Sequence, residues 1–397
     1  MKVFRERMKV FLSHTYYRLS GGEDKVFEAE LFLLREQGHR VNILAFHNDA
    51  MKRFSPWRQG MLTIWNREAY RKSRKALSDI KPEVVHIHNT FPLASPAVLH
   101  AAKAEGVPVV MTLHNYRLLC ANALFFRNGQ VCEDCLGRSP WIGVAHGCYR
   151  DSRAATAVVA TMLTIHRWLG TWTQNVDMYI ALTEFARQKF IEGGLPADKI
   201  AVKPNFVHPD PGSGEGRGGF ALFVGRLSQE KGLDTLLAAW ERLQGRVPLK
   251  IVGDGPLASE VAAAAERLDG VEWLGRMPRE EVLGLMKQAS FLVLPSKVYE
   301  NFPMTIAEAF ATGLPVVASD LGAMASLIDH ERTGLHFRPG DAEDLAAKVE
   351  WMLSHPKALD QMRKEARAEY EAKYTAERNY RMLMEIYARA IENARKG

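Results

Sequence analysis

Residues 290–319, SFLVLPSKVYENFPMTIAEAFATGLPVVAS, hold a strand pattern, a helix pattern and a second strand pattern in immediate succession. The runs SFLVLPS (290–296) and LPVVAS (314–319) are short and apolar, as strands buried in a parallel sheet are, and helix formers lie between them. This order predicts a parallel sheet with covering helices. The stretch also holds two carboxylates, Glu300 and Glu308. Taken alone, the two residues are equally compatible with a binding site and with ordinary roles, Glu300 as a charge in a loop and Glu308 as a solvated helix residue.

The same alternation of strands and helices runs along the rest of the chain. Further strand patterns lie at 8–14, 40–46, 83–88, 107–114, 177–182, 220–226, 247–255 and 271–275. Between the two sets lies HPDPGSGEGRGG (208–219), which is rich in Gly and Pro and is typical of a linker. We therefore predict an α/β protein with Rossmann-like domains at 1–207 and 220–375, whose parallel sheets face each other across a cleft. A last helix, 376–397, is expected to pack back on the N-terminal domain.

Length and composition set the class of protein. A chain of 397 residues is long for one core, and 47% hydrophobic with 25% charged residues is typical of a soluble globular protein. A run of about 18 uncharged apolar residues is missing, as is a signal-peptide pattern, so we expect a cytoplasmic location. Residues 1–207 hold 28 Lys and Arg against 18 Asp and Glu, while 208–397 hold 24 against 28. The basic half favours an anionic partner: nucleic acid, a membrane surface or a phosphorylated substrate.

Two strand ends carry groups that suit a diphosphate. Gly21 and Gly22 precede a helix pattern, and such a turn lets backbone amides approach an anion, although it is also a common structural connector. Arg226 and Lys231 follow the strand at 220–226, where two cations suit a diphosphate, although a solvated loop is equally compatible. The chain contains no Asp-x-Asp pair, so these cations and helix dipoles would have to neutralise a leaving diphosphate.

The paired glutamates fit the same ligand. Pro303 is tolerated in a first helical turn, so the helix is expected to begin near Pro303–Met304, with amides of 301–305 directed at an anion. Glu300 then precedes the helix and Glu308 lies within it. Carboxylates accept hydrogen bonds from sugar hydroxyls, so two of them flanking a phosphate site predict a nucleotide sugar.

Seven motifs in order resemble those of the family 4 retaining glycosyltransferases, which have the GT-B fold. They are SGGEDKVFEAELFLLREQGHRV, HIHN, MTLHN, KPNFV, VGRLSQEKG, IVGDGP and PSKVYENFPMTIAEAFATGLPVVAS, and they span nearly the whole chain. The resemblance implies sugar transfer from a UDP- or GDP-linked donor with retention of configuration and no catalytic metal or other cofactor. The expected acceptor is a glycan or lipid-linked precursor in cell-surface polysaccharide or glycolipid synthesis.

The resemblance also implies roles for individual residues. Arg226 and Lys231 would grip the diphosphate, Glu308 the ribose and Glu300 the donor sugar, while His114 would contact the sugar near the reacting carbon. The backbone of Asn301, Phe302, Pro303, Met304 and Thr305 would line the sugar and phosphates, and Gly21 and Gly22 would approach the donor from the other domain. Base recognition is expected from the backbone around Arg276 and Met277. Pro303 stands where glycine is common in the family, and Asn115 where aspartate is common.

All four cysteines fall in one segment, as Cys120, Cys132, Cys135 and Cys148. Asn128-Gly129 between short apolar runs indicates a hairpin just before the Cys-x-x-Cys pair. A cytoplasmic protein rarely keeps disulfides, so a structural zinc site is the sharper hypothesis, with His146 able to replace one cysteine. Reduced or redox-active thiols and disulfides are the alternatives.

A second unusual segment, 54–77, interleaves aromatic with basic residues, a composition typical of a membrane interface. Together with the apolar segment 154–172 it is also compatible with core helices that have a solvated basic face. We therefore expect either a soluble protein or a peripheral protein at the inner face of the cell membrane.

Other classes explain less of the chain. A Rossmann dehydrogenase lacks its Gly-x-Gly-x-x-Gly signature here, and a nucleic-acid binder would account for the basic half only. The main alternative is a non-catalytic nucleotide-sugar or zinc-containing interaction protein.

Overall fold

The computed structural model describes residues 7–18 and 21–396, which form two compact units. The first unit contains the described residues of 1–125, 133–204 and 377–397, and the second contains 126–132 and 205–376. The strands are β1 (Lys9–Tyr16), β2 (Arg40–His47), β3 (Val84–Ile87), β4 (Val109–Leu113), β5 (Phe126–Arg127), β6 (Gln130–Val131), β7 (Met178–Ala181), β8 (Ile200–Val202), β9 (Ala221–Val224), β10 (Leu249–Val252), β11 (Val271–Gly275), β12 (Phe291–Leu294), β13 (Val316–Ser319) and β14 (Gly334–Phe337).

Helices occupy most of the segments between the strands. They are α1 (Gly22–Glu36), α2 (Pro56–Ile64), α3 (Arg67–Ile80), α4 (Ala97–Ala104), α5 (Ile142–His146), α6 (Arg153–Trp168), α7 (Thr171–Gln174), α8 (Glu184–Glu192), α9 (Leu233–Leu243), α10 (Ala258–Arg267), α11 (Arg279–Gln288), α12 (Met304–Ala311), α13 (Gly322–Leu327), α14 (Ala342–Ser354), α15 (Pro356–Lys373) and α16 (Ala376–Lys396). Short 3-10 helices lie at Asn48–Arg53, Ala197–Lys199 and Gln229–Lys231.

The first unit is built on a parallel sheet of order β2-β1-β3-β4-β7-β8. Every residue of β3, β4 and β7 is buried, because helices cover both faces of a parallel sheet. Strand β2 lies at the edge and is partly exposed along its length. The sequence runs that read as continuously apolar are thus the central strands.

The second unit repeats the architecture, with parallel order β11-β10-β9-β12-β13-β14. Its core joins the sheet to α9 and α14, and includes the fully buried Phe223, Trp240 and Phe291. Trp240 Nε1 donates to the carbonyl of Val247 at 2.9 Å, so its one polar atom is satisfied within the core. The predicted α/β fold class, with two parallel sheets, is confirmed.

The last two helices belong to different units. Helix α15 lies in the second unit, whereas nearly all of α16 lies in the first. Tyr387 of α16 is completely buried, and its hydroxyl lies 2.9 Å from His86 Nδ1 of β3. The C-terminal helix is therefore part of the core of the first unit.

Residues 208–219 carry no helix or strand, but they are not loosely attached. Backbone amides of Gly214, Gly216 and Gly218 donate to carbonyls of Thr312, Lys287 and Gln288 at 2.8–2.9 Å. A Cβ at Gly214 would lie 2.2 Å from the Lys287 carbonyl oxygen. The glycines that indicated a flexible linker therefore serve close packing within the second unit.

The predicted strands all appear, with ends that differ from the expected ones by at most three residues, and the sequence reading missed β8 and β14. The hairpin also appears: Asn128 and Gly129 have φ of 53° and 80°, and join β5 to β6. Within residues 7–18 and 21–396, no helix has both the length and the apolar character needed to span a bilayer.

Candidate active site

The second sheet has a topological switch point between β9 and β12, from which the strand order runs outward in both directions. Ligands of open α/β sheets bind outside the carboxyl ends of the strands at such a point. Arg226 and Lys231 follow β9, and Glu300 follows β12. Three of the predicted donor residues therefore leave adjacent strands at this edge.

Gly232 brings the two loops together. Its φ is +70°, and a Cβ there would lie 1.9 Å from the carbonyl oxygen of Pro295, so only glycine fits. Lys231 immediately precedes it, at the end of a 3-10 helix. The close approach therefore places Lys231 against the loop that follows β12.

Lys231 and Glu300 form an ion pair. Lys231 Nζ lies 2.6 Å from Glu300 Oε1, and Ser296 Oγ lies 2.7 Å from the same oxygen. Burial alone would raise the pKa of the Glu300 carboxyl, but the Lys231 charge and the hydrogen bonds from Lys231 and Ser296 hold it below its usual value. The structure thus brings the predicted diphosphate cation and the predicted sugar-binding carboxylate into direct contact.

Glu308 has a partner that the sequence reading missed. Arg279, the first residue of α11, donates from Nε to Glu308 Oε1 at 2.8 Å and from Nη1 to the carbonyl of His208 at 3.4 Å. The Glu308 side chain is 14% exposed, so it remains within reach of a ligand. The arginine follows the predicted base-binding pair by two residues, but the residue spacing gives no signal that links it to Glu308.

Helix α12 begins at Met304, as predicted, and Pro303 directly precedes it with φ of −66°. Phe302 is buried, and its ring centroid lies 5.8 Å from that of Tyr374. The Phe302 side chain therefore anchors the segment 301–305, and Met304 and Thr305 supply the first amides of the helix. These amides are the anion-binding element expected from a helix N-terminus.

Arg226, Arg276 and Met277 follow strands that lie at different distances from the switch point. Arg226 is exposed directly after β9. Arg276 and Met277 follow β11, which is two strands away from β9 at the edge of the sheet. The structure therefore groups Arg226 with the switch point, and Arg276 and Met277 with the flank of the sheet.

In the first unit, the switch point lies between β1 and β3. His114 follows β4, beside β3, and its Nε2 lies 3.0 Å from Nδ1 of His88, with the two rings stacked. Burial and the neighbouring His88 lower the pKa of His114 well below its usual value. His114 is therefore a neutral hydrogen-bonding group at neutral pH.

Gly21 and Gly22 form the start of α1 near the same edge. The amide of Gly21 donates to Asp24 Oδ2 at 3.1 Å, and Asp24 Oδ1 lies 2.7 Å from His14 Nε2. A Cβ at either glycine would meet no described atom within 4 Å. Packing among the described residues therefore does not require glycine at either position.

A carboxyl group that sequence reasoning missed lies beside this turn. Glu23 Oε2 accepts from Asn115 Nδ2 at 3.2 Å, and the same Asn115 nitrogen lies 3.5 Å from the Tyr17 hydroxyl. Burial raises the pKa of Glu23 to about 8, against the lowering effect of the Asn115 hydrogen bond. Asn115, which stands where aspartate is common, therefore contacts a carboxyl group supplied by another element.

The four cysteines flank the β5–β6 hairpin, with Cys120 before it and the other three after it. The structure holds all four as thiols, and Cys120 Sγ donates to Asn122 Oδ1 at 3.0 Å. Among the described residues, ligand atoms of at least three His, Cys, Asp or Glu side chains gather within 4.8 Å only at Glu30, His86 and His88. The zinc site at Cys120, Cys132, Cys135 and Cys148 stays a prediction.

The segment 54–77 forms α2 and α3 and exposes both kinds of predicted side chain. Trp57 is 73% exposed and Met61 is 58% exposed on α2. The basic residues Arg67, Arg71, Arg74 and Lys75 line one shallow surface groove with Tyr70. This surface, α2 with the α3 groove, is called the basic aromatic surface below.

Comparisons with solved structures identify the fold as GT-B. HepE of Anabaena in complex with UDP has a TM-score of 0.67 at 17% identity, covering 94% of this chain and 98% of that chain. Sucrose-phosphate synthase of Thermosynechococcus elongatus has a TM-score of 0.68 at 17% identity, covering 96% and 98%.

The family follows from sequence. The model "Glycosyl transferases group 1" matches residues 213–369, and the model "Glycosyltransferase Family 4" matches residues 31–211. The chain belongs to the family 4 glycosyltransferases of the group 1 type. An uncharacterised glycosyltransferase of Methanocaldococcus jannaschii is 23% identical over 96% of this chain and 98% of its own length. The D-rhamnosyltransferase WbpZ of Pseudomonas aeruginosa is 36% identical over 40% of this chain and 42% of its own length.

Proposed function

We propose that this glycosyltransferase moves a sugar from a UDP- or GDP-linked donor to a glycan or lipid-linked acceptor, with retention and without a catalytic metal. The ion pair between Lys231 and Glu300 at the switch point of the second sheet carries the proposal. It holds a cation and a sugar-binding acceptor side by side. Solved complexes of HepE with UDP and with UDP-glucose, which share this fold, support a nucleotide-sugar donor.

The leaving group in this reaction is a nucleoside diphosphate, whose negative charge grows as the glycosidic bond breaks. Lys231, Arg226 and the first amides of α12 would stabilise that charge. Such stabilisation counts toward turnover because it is greater in the transition state than in the bound donor. An Asp-x-Asp pair is missing from the sequence, so cationic side chains take the place of a metal in this proposal.

The two glutamates would hold the ends of the donor. Glu300 would accept from hydroxyls of the sugar while it shares Lys231 with the diphosphate. Glu308, oriented by Arg279, would accept from the ribose hydroxyls with its remaining lone pairs. In the first unit, His114 would contact the transferred sugar, and the Gly21–Gly22 turn would approach the donor.

The acceptor side of the proposal is synthesis of a cell-surface polysaccharide or glycolipid. One relative is the amylovoran biosynthesis glycosyltransferase AmsK of Erwinia amylovora, which is 29% identical over 55% of this chain and 57% of its own length. The basic aromatic surface supports a lipid-linked acceptor, because exposed tryptophan and clustered cations suit the headgroup layer of an anionic membrane. Peripheral attachment at the inner membrane face belongs to this proposal.

A donor panel tests the proposal. The full-length protein is incubated with UDP- and GDP-sugars, and release of nucleoside diphosphate is followed with and without EDTA. We expect slow hydrolysis of one donor that EDTA leaves unchanged and that Lys231→Ala abolishes. Lys250→Ala is the matched control, because Lys250 lies on β10 beside Glu272, away from the switch point. Donor binding without any turnover would instead favour a non-catalytic nucleotide-sugar protein.

A further inference from the structure

A buried series of side chains lies behind His114 in the first unit. Lys203 Nζ lies 3.0 Å from Glu30 Oε2, and Glu30 Oε1 lies 2.9 Å from His86 Nδ1. The same Oε1 lies 3.6 Å from His88 Nε2, and the other nitrogen of His88 meets His114. Lys203, Glu30, His86 and His88 are each at most 2% exposed. The proposed reaction has so far given these residues no role.

The charges at the far end of the series are fixed. Lys203 can only donate, and it donates to Glu30 and to Asn379 Oδ1 at 3.0 and 3.1 Å. Burial alone would raise the pKa of Glu30, but the Lys203 charge and His86 hold it well below its usual value. Glu30 is therefore a carboxylate. A bound cation is not needed at Glu30, His86 and His88, because the Lys203 ammonium already neutralises Glu30.

The position of the proton on His88 follows from this carboxylate. Burial and the neighbouring His86 lower the pKa of His88 to about 3, so the ring is neutral and carries one proton. At 3.6 Å the contact with Glu30 is long for a hydrogen bond, but an N–H there is attracted by the carboxylate whereas a lone pair is repelled. The proton therefore lies on Nε2 of His88, and Nδ1 is an acceptor.

His114 must then donate to His88. Its Nε2, 3.0 Å from His88 Nδ1, carries the proton, and its Nδ1 keeps a lone pair. Among the described residues, Nδ1 of His114 has no hydrogen-bond partner, and the side chain is partly exposed. A lone pair at this position is suited to accept a hydrogen bond from a hydroxyl group of a ligand.

We propose that Glu30 and His88 are positioning residues that hold His114 in its Nε2–H form, so that His114 Nδ1 accepts a hydrogen bond from a hydroxyl of the transferred sugar. The assignment of the sugar rests on the proposed function, whereas the tautomer does not. By this proposal, the buried Glu30 and Lys203 affect a site that neither residue contacts.

Other titratable groups around His88 and His114 do not change these proton positions. Besides Glu30 of α1 and His86 of β3, they are His14 of β1 and Tyr387 of α16. The His14 ring lies 6.3 Å from that of His88 and is paired with Asp24, and the Tyr387 hydroxyl bonds to His86. The apolar ring of Phe27 lies between α1 and His88, at 5.2 Å.

The tautomer is read directly by two-bond ¹H–¹⁵N correlation spectra of full-length protein labelled at histidine. His114→Gln identifies the signal. We expect a neutral ring with protonated Nε2 and bare Nδ1 in the wild type near pH 7. A protonated Nδ1 would overturn the proposal, whether or not the protein transfers sugar. Zn²⁺ added at one equivalent is expected to leave the His86 and His88 signals in place, and their displacement would mean that the group is a metal site.

Substitution at His88 tests the consequence for turnover. The amide of His88→Gln can donate to Glu30 and accept from His114, whereas His88→Leu can do neither. With UDP-glucose or the donor found active, we expect kcat of His88→Leu to fall in proportion to the loss of the Nε2–H form, at nearly unchanged KM. His88→Gln should recover most of that loss. His39→Leu, a buried histidine of the same unit, is the matched control. Equal kcat values for His88→Leu and wild type, in protein that melts normally, would overturn the proposal.

Discussion

Replacing Lys231 with alanine separates the two tasks of the ion pair with Glu300. In the protein without donor, Lys231 is already bonded to Glu300 at 2.6 Å, so donor binding exchanges one anionic partner for another. We therefore expect Lys231→Ala to change KM by less than about tenfold, equivalent to about 1.4 kcal/mol. The transition state has more charge on the diphosphate, so kcat should fall about 10²–10³-fold, or about 3–4 kcal/mol. Steady-state kinetics of donor hydrolysis measure both values.

The same substitution lowers stability by an amount that depends on pH. In the wild type, the lowered pKa of Glu300 means that its contribution to stability is present above about 4.5, its ordinary value, and is lost as pH falls through the folded pKa. Without Lys231, burial dominates and raises the pKa, so the variant loses stability as pH rises above about 4.5. The difference in unfolding free energy should therefore grow between about pH 4 and 7, to about 1–3 kcal/mol.

Urea unfolding at several pH values, followed by circular dichroism, measures this difference. The double variant Lys231→Ala with Glu300→Gln is expected to recover stability but not turnover, because the buried carboxylate is gone while the diphosphate still lacks its cation. A loss of stability that is the same at pH 4 and pH 7 would contradict the electrostatic account. A variant that keeps kcat while KM rises would show that Lys231 contributes only to binding of the donor ground state.

Four further predictions use other residues of the chain. Glu308→Ala should weaken donor binding by about 1–3 kcal/mol in calorimetry because the ribose loses an acceptor, and unchanged affinity would exclude the ribose role. Because burial raises the pKa of Glu23 to about 8, the wild type should lose stability relative to Glu23→Gln as pH rises from about 4.5 through 8; parallel urea profiles would contradict this. If the segment 120–148 binds zinc, elemental analysis of protein purified without added metal should find close to one zinc per chain. Clearly substoichiometric zinc would favour reduced thiols instead. The protein should co-sediment with anionic vesicles at low salt and be released at a few hundred millimolar salt, where the Debye length falls below about 8 Å. Charge reversal at Arg71, Lys72, Arg74 and Lys75 should abolish vesicle binding without affecting donor hydrolysis. Equal binding to neutral and anionic vesicles would contradict the electrostatic part of the prediction.

Local sequence patterns carry much of the fold. Buried parallel strands are read as short apolar runs because both of their faces must be covered, and Pro303 marks the start of α12 because its ring is compatible only with the beginning of a helix. The short strands β8 and β14 escaped this reading, since three or four residues are too few to show a clear period. The Asn128-Gly129 turn was predictable because both residues adopt positive φ easily.

The glycine-rich segment 208–219 shows where composition misleads. Glycine occurs both where a chain is flexible and where backbones must touch, and sequence alone does not separate these cases. At Gly214 the second applies, since a Cβ would overlap the backbone of Lys287. Only the neighbours in space decide between the two uses of the same residue.

Sequence alone determined which residues are candidates for chemistry. Lys231 and Glu300 follow strand patterns, and Glu308 lies within a helix pattern. His114 became a candidate through the resemblance to the glycosyltransferase family. The pairing of these groups was decided by tertiary structure. Lys231 meets Glu300 across 69 positions and Glu308 meets Arg279 across 29. Lys203 meets Glu30 across 173 positions, in the core of the first unit. Protonation states and hydrogen-bond directions depend on such pairs, because charge and burial act through distances in space, whereas a sequence pattern records only distances along the chain.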